Sequence, residues 1–157
     1  MIVTLAWALW IGGLLALFIF VSTLFRNDRE IAVQAAPQLF VAFQQYHLIL
    51  AAIALVAIVA WRIVAPARMV LVMFVLLGLA ACCGVAVAIW IIAPMEKLRM
   101  EGLGGSPEFK RLHGMSMMLY VGQAGLLLIN GIILPFAIGR TGVKTSGGTA
   151  LATGSPA

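Results

Sequence analysis

Long apolar runs separated by short charged segments dominate the chain. A helix that crosses a hydrocarbon core of ~30 Å at ~1.5 Å per residue needs roughly 20 consecutive apolar residues. Four stretches meet that requirement, at about residues 2–25, 39–61, 69–93 and 107–138. The first is closed by Arg26, Asp28, Arg29 and Glu30, the second by Arg62, the third by Pro94 with Glu96 and Lys97 behind it, and the fourth by Gly139 and Arg140. The pattern predicts an all-α membrane protein, a four-helix antiparallel transmembrane bundle over residues 1–140. Residues 141–157 turn to Gly, Ser, Thr and Ala without periodicity and are expected to form a flexible tail.

The connections differ in kind. Residues 63–68 hold Pro66 and little else, so the second and third helices are expected to be neighbours in a tight hairpin. The first and third connections are longer and amphipathic. In the third, Gly102, Gly104 and Gly105 break the chain, and Ser106, Pro107 and Glu108 restart it as N-cap, N1 and N2.

Composition supports a lipid environment: 64% of the 157 residues are hydrophobic and mean hydropathy is +1.13, outside the range of soluble domains. The formal charge of +5 resides between the apolar runs, which suits phospholipid headgroups and argues against a nucleic-acid partner. The first residues lack the basic segment of a signal peptide, so the first helix is expected in the mature protein. Positive charge divides unevenly. The first and third connections carry Arg26, Arg29, Lys97, Arg99, Lys110 and Arg111, and the opposite side carries Arg62, Arg68, Arg140 and Lys144. The positive-inside rule then places the longer connections in the cytoplasm and both termini on the non-cytoplasmic side. Lys97, Arg99, Lys110 and Arg111 are expected to form a positive interfacial rim.

Polar side chains within a span are costly and mark either interhelical hydrogen bonds or a functional site. In the fourth helix, His113, Ser116, Tyr120, Gln123 and Asn130 fall within about 100° on a wheel of ~3.6 residues per turn, forming one polar stripe. The second helix offers Gln44 and His47, spaced three apart. His47 lies roughly 12 Å into its span and His113 roughly 9 Å beyond Pro107, in the same half of the membrane. Two facing imidazoles would suit haem b or copper, making His47 and His113 the candidate cofactor ligands. The alternative is that both are satisfied by neighbouring polar groups, with no cofactor bound.

Other residues read as structure. Cys82 and Cys83 are adjacent, and neighbouring helical positions diverge by ~100°, so they do not clamp a metal as CxxC does. Gly12, Gly13, Gly122 and Gly125 read as close-packing positions. Trp7, Trp10, Trp61 and Trp90 are partly explained as interfacial aromatics. Eight methionines, among them Met115, Met117 and Met118, bring Cu(I) to mind but are also ordinary apolar filler. No Ser-His-Asp set, HExxH or phosphate-binding loop occurs, and the chain is expected not to be an enzyme.

Several short motifs, in order, carry a family resemblance. They are Trp10, Ile11, Gly12 and Gly13 with Phe25; Ala35, Ala36 and Phe40; Ile92, Ala93 and Pro94 followed by Lys97, Leu98 and Arg99; and Phe109, Lys110, Arg111, Leu112 and His113 with Ser116. With them the chain resembles, over about residues 7–135, the transmembrane-protein-205-like family of four-helix membrane proteins, known in bacteria as a domain of unknown function. It is more distantly similar to CopD-type copper-resistance and haem-linked proteins. The resemblance implies four membrane helices and favours a bacterial inner (cytoplasmic) membrane. The expectation is a non-enzymatic accessory, scaffold or transport-related subunit that packs against another membrane protein or itself. The alternative is a haem- or copper-binding protein using His47 and His113.

Overall fold

The computed structural model describes residues 2–146, with side chains described for residues 2–139. Helices form almost all of it: α1 (Ile2–Asn27), α2 (Arg29–Val64), α3 (Arg68–Ala86), a π-helical turn (Val87–Ile92), α4 (Ala93–Met100) and α5 (Pro107–Ser146). No strand occurs among the described residues. The π turn joins α3 to α4 in one rod, so four helical rods, Ile2–Asn27, Arg29–Val64, Arg68–Met100 and the Pro107–Gly139 part of α5, are long and apolar enough to cross a membrane.

The boundaries depart from the apolar runs in three places. The charged stretch after α1 is not a loop, and the expected start of the second helix near residue 39 moves back to Arg29. Asp28 alone breaks the chain, with an extended backbone (φ −149°, ψ 102°), and its side chain accepts hydrogen bonds from the Glu30 and Ile31 amides at 3.0 and 3.1 Å. This N-cap satisfies the orphan donors of α2, so helix formation needs no apolar residues there. Pro37 then lies inside α2. The third run continues past Pro94 to Met100. Pro94 has no N–H and its ring crowds the carbonyl one turn back, and the chain widens into a π turn just ahead of it. The rod ends where Gly102 takes φ +74°. Its amide bonds to the Arg99 carbonyl (3.0 Å) and the Leu103 amide to the Leu98 carbonyl (2.8 Å), a Schellman close. Finally, residues 141–146, assigned to the tail, continue α5; the rest of the expected tail lies outside the described residues.

Ser106 starts α5, its Oγ accepting from the Phe109 amide at 3.1 Å. Within the fold, α1 packs chiefly on α2, and α3 on both α2 and α5, while α1 and α5 touch sparsely. The buried apolar side chains fall into two clusters. One holds Trp10, Leu50, Ile58, Met73, Leu77 and Leu127; the other holds Leu14, Phe43, Val87, Ile91, Leu112 and Tyr120. Large side chains such as Phe18, Phe20, Ile49, Val56, Trp90 and Ile132 point outward. An apolar exterior of this extent is stable only in lipid, and the chain is an integral membrane protein.

Candidate functional site

A polar layer separates the two apolar clusters. On α2, Gln44 and His47 lie one turn apart on the buried face. Gln44 Nε2 donates to the Gly84 carbonyl of α3 at 2.7 Å, and its Oε1 accepts from the Tyr120 hydroxyl of α5 at 3.2 Å. One side chain thereby ties three helices. A carbonyl has two lone pairs, so the Gly84 oxygen takes this donor while still accepting from the Val87 amide.

His47 has no exposure. Its imidazole lies between Trp10 (centroids 6.0 Å apart, 23° between planes) and Phe43 (5.6 Å, 28°). Its edge rests on Gly84, where any Cβ would overlap the imidazole Nε2. The ring has a polar interaction with the Phe43 backbone one turn earlier, but neither ring nitrogen makes a well-formed hydrogen bond.

On α5, Ser116, Tyr120, Gln123 and Asn130 occupy the buried face, with Gln123 and Asn130 at zero exposure. Ser116 Oγ donates back to the His113 carbonyl at 2.8 Å. His113 itself is exposed and stacks on Phe109 (6.4 Å, 4°). The two histidines therefore lie in different surroundings: one is enclosed by Trp10, Phe43 and Gly84, and the other opens to a cleft that His47 does not line. This arrangement does not fit a shared haem or copper held by both rings. No cluster of three His, Cys, Asp or Glu side chains suited to a metal occurs among the described residues. Cys82 is exposed and Cys83 partly so.

The cleft has a volume of ≈ 850 Å³. It forms because α1 buries no side chain beyond Leu14, so its second half stands away from α5. Leu17, Phe18, Phe40, Ile92 and Ala124 make apolar walls, and the buried Tyr120 is part of the lining. Glu96, Arg99, His113 and Ser116 add polar groups toward the connection between α4 and α5. Arg99 is held there by Glu96 (2.6 Å) and lies over the Phe109 ring, 5.9 Å from its centroid. Lys97, Lys110 and Arg111 are exposed nearby.

Sequence reasoning missed two kinds of residue. Trp7 and Trp10 do not serve as an interfacial belt. Trp7 Nε1 donates to the Leu127 carbonyl at 2.7 Å, and Trp10 is in the core; their spacing of three, continued by Leu14, was the available signal. Among the glycines, Gly12, Gly122 and Gly125 have open space where a Cβ would stand. The expected close packing holds at Gly13 against Tyr46, and the close approaches that were not expected are at Gly84 against His47 and Gly131 against Trp7.

The chain matches the family model described as a domain of unknown function, DUF4149, over residues 5–103. No curated protein and no solved structure matches the chain. The matched segment takes in most of α1 and all of α2 to α4, with Gln44 and His47, while α5 and its Ser116, Tyr120, Gln123 and Asn130 lie beyond it. Covering well over half of the chain, the match establishes that this protein belongs to the DUF4149 family of unknown function.

Proposed function

We propose that the protein is a non-enzymatic, transport-related membrane protein that binds an amphipathic, lipid-like molecule in the cleft between α1 and α5. The cleft carries this reading. Its volume of ≈ 850 Å³ lies within the ~300–1,000 Å³ of small-molecule sites. Between Leu14 and Phe25 it follows α1 for ~16 Å, about half of a ~30 Å hydrocarbon core, so its guest belongs to one leaflet. Apolar walls suit a hydrocarbon chain, and Arg99, Glu96, His113 and Ser116 suit a polar headgroup at the interface.

The helix directions belong to the same reading. Gly13 meets Phe43 and Tyr46, Trp10 meets His47, and Trp7 meets Leu127 and Gly131. Descending numbers on α1 thus pair with ascending numbers on α2, and on α5 the order is the same, with Leu14 in the cluster of Tyr120 and Trp7 at Leu127 and Gly131. This supports an antiparallel transmembrane bundle with α2 and α5 running the same way. A bacterial inner membrane, a cytoplasmic side holding Asp28 and the connection between α4 and α5, and a further membrane subunit or second copy as partner complete the proposal, together with the resemblance to transmembrane-protein-205-like proteins carried by the motifs from Trp10 to Ser116.

The test is native mass spectrometry of protein released from nanodiscs of phosphatidylcholine and phosphatidylglycerol. The wild type is expected to retain one lipid, and the cleft-filling Val121→Trp variant, Val121 being exposed and on the cleft wall, to lose it while staying helical. A wild type that carries no lipid, or a filled variant that retains as much, would refute the reading. Dimers held through the cleft would assign it to a second copy instead.

A further inference from the structure

In the interior, polar atoms accumulate without well-formed hydrogen bonds to the protein. Trp10 Nε1, both ring nitrogens of His47, and both amide atoms of Gln123 and of Asn130 are buried and make no well-formed hydrogen bond. All four side chains have zero exposure. Such groups are rare, because an unpartnered polar atom in an apolar interior is destabilising, the more so where lipid surrounds the protein.

Their placement is ordered. Tyr120, on the lining of the cleft, donates to Gln44. Three residues further along α2 and α5 come His47 and Gln123, at a common depth if the two helices run the same way. Trp10 stacks on His47, and Asn130 lies two turns beyond Gln123 on the same face of α5. Small side chains stand at this level, namely Ala51, Ala54, Ala80, Ala81 and Gly84, all buried. His47 and Gln123 stand where one apolar cluster gives way to the other, and Asn130 lies within the first, between Leu127 and Leu134. Past Asn130 the interior closes with Ile58, Val70, Met73 and Leu134.

We infer that Trp10, His47, Gln123 and Asn130 line an internal water site, a short file that continues inward from Tyr120 and ends blindly at Asn130. Water suits the donor and acceptor mix: the indole donates only, the neutral imidazole does both, and each carboxamide offers two donors and an acceptor oxygen. Two to four polar partners per molecule is what buried water requires. The inference rests on helix register and not on what occupies the cleft.

Hydroxyl radicals generated in place by a synchrotron X-ray pulse oxidise side chains that touch bound water, even where bulk solvent has no access. With the full chain in nanodiscs, Trp10 is expected to be oxidised while Met73, equally buried among apolar neighbours, stays intact. Protection of both would overturn the inference, and so would oxidation of both, which would report general solvent entry. A Gln123→Leu, Asn130→Leu double variant is expected to lose Trp10 oxidation and to melt at a lower temperature. Unchanged oxidation or a higher melting temperature would count against a hydrated site, since a dry one gains by losing unpartnered polar groups.

Discussion

At the residue scale, glycines show how little composition says about packing. Gly84 is the contact surface for His47, and an added Cβ would overlap the imidazole; His47 is confined on its other sides by Trp10 and Phe43. Gly84→Ala must therefore displace either the ring or α3. Overpacking of this kind costs about 1–3 kcal/mol, and in the same move it threatens the Gln44 hydrogen bond to the Gly84 carbonyl. Gly122→Ala, with open space at the Cβ position inside α5, is expected to be neutral or stabilising by up to about 1 kcal/mol, Ala being the better helix former. Thermal unfolding in a mild detergent checks the pair: equal losses at both positions would show that His47 is not packed against α3. Gly131→Ala, aimed at Trp7, should resemble Gly84→Ala.

At the element scale, the π turn decides where α4 points. A π turn inserts one residue relative to an α-helix, and each residue rotates the remainder of the rod by ~100°. Without that insertion, Arg99 and Met95 would face elsewhere, and the cleft would lose its α4 wall. Deleting Ile89, whose side chain faces outward from the turn, is expected to restore α-helical winding and to carry Arg99 away from the Phe109 ring. The measurable outcome is loss of lipid retention together with a lower melting temperature. Retention at the parental level would mean that α4 does not help to form the binding site. The ion pair between Arg99 and Glu96 is partly exposed and contributes little, as surface pairs do, at ~0–1 kcal/mol; orientation comes from the backbone.

At the scale of the whole molecule, the arrangement is an apolar exterior around a thin polar seam. The two apolar clusters clamp the rods together on either side of the Gln44, His47 and Tyr120 layer, while the second half of α1 is left to face the cleft. The charge distribution sets the expected orientation, with the connection holding Gly104 in the cytoplasm. A Gly104→Cys variant, built after replacing Cys82 and Cys83, should resist a membrane-impermeant maleimide in intact cells and react after lysis. Reaction in intact cells would reverse the assigned topology. Gly104 has open space around its Cβ position, so the substitution leaves the fold undisturbed.

The sequence by itself determined the helical class and the four membrane-length apolar segments, because hydrocarbon leaves backbone hydrogen bonds no partner but the helix and sets the helix length. The face shared by Ser116, Tyr120, Gln123 and Asn130 was legible for a related reason: helical periodicity is local, and costly polar groups stand out against an apolar background. His113 shows the limit, falling within the same arc yet lying exposed on Phe109. Only the tertiary structure decided that His47 and His113 have separate surroundings, that Trp7 and Trp10 turn inward, and that α1 leaves α5 to open a cleft. Outside and inside are both apolar in a membrane protein, so hydropathy does not distinguish a lipid-facing Phe18 from a core Trp10; which surfaces meet depends on shape, on where a glycine admits a ring, and on how far one helix runs alongside another.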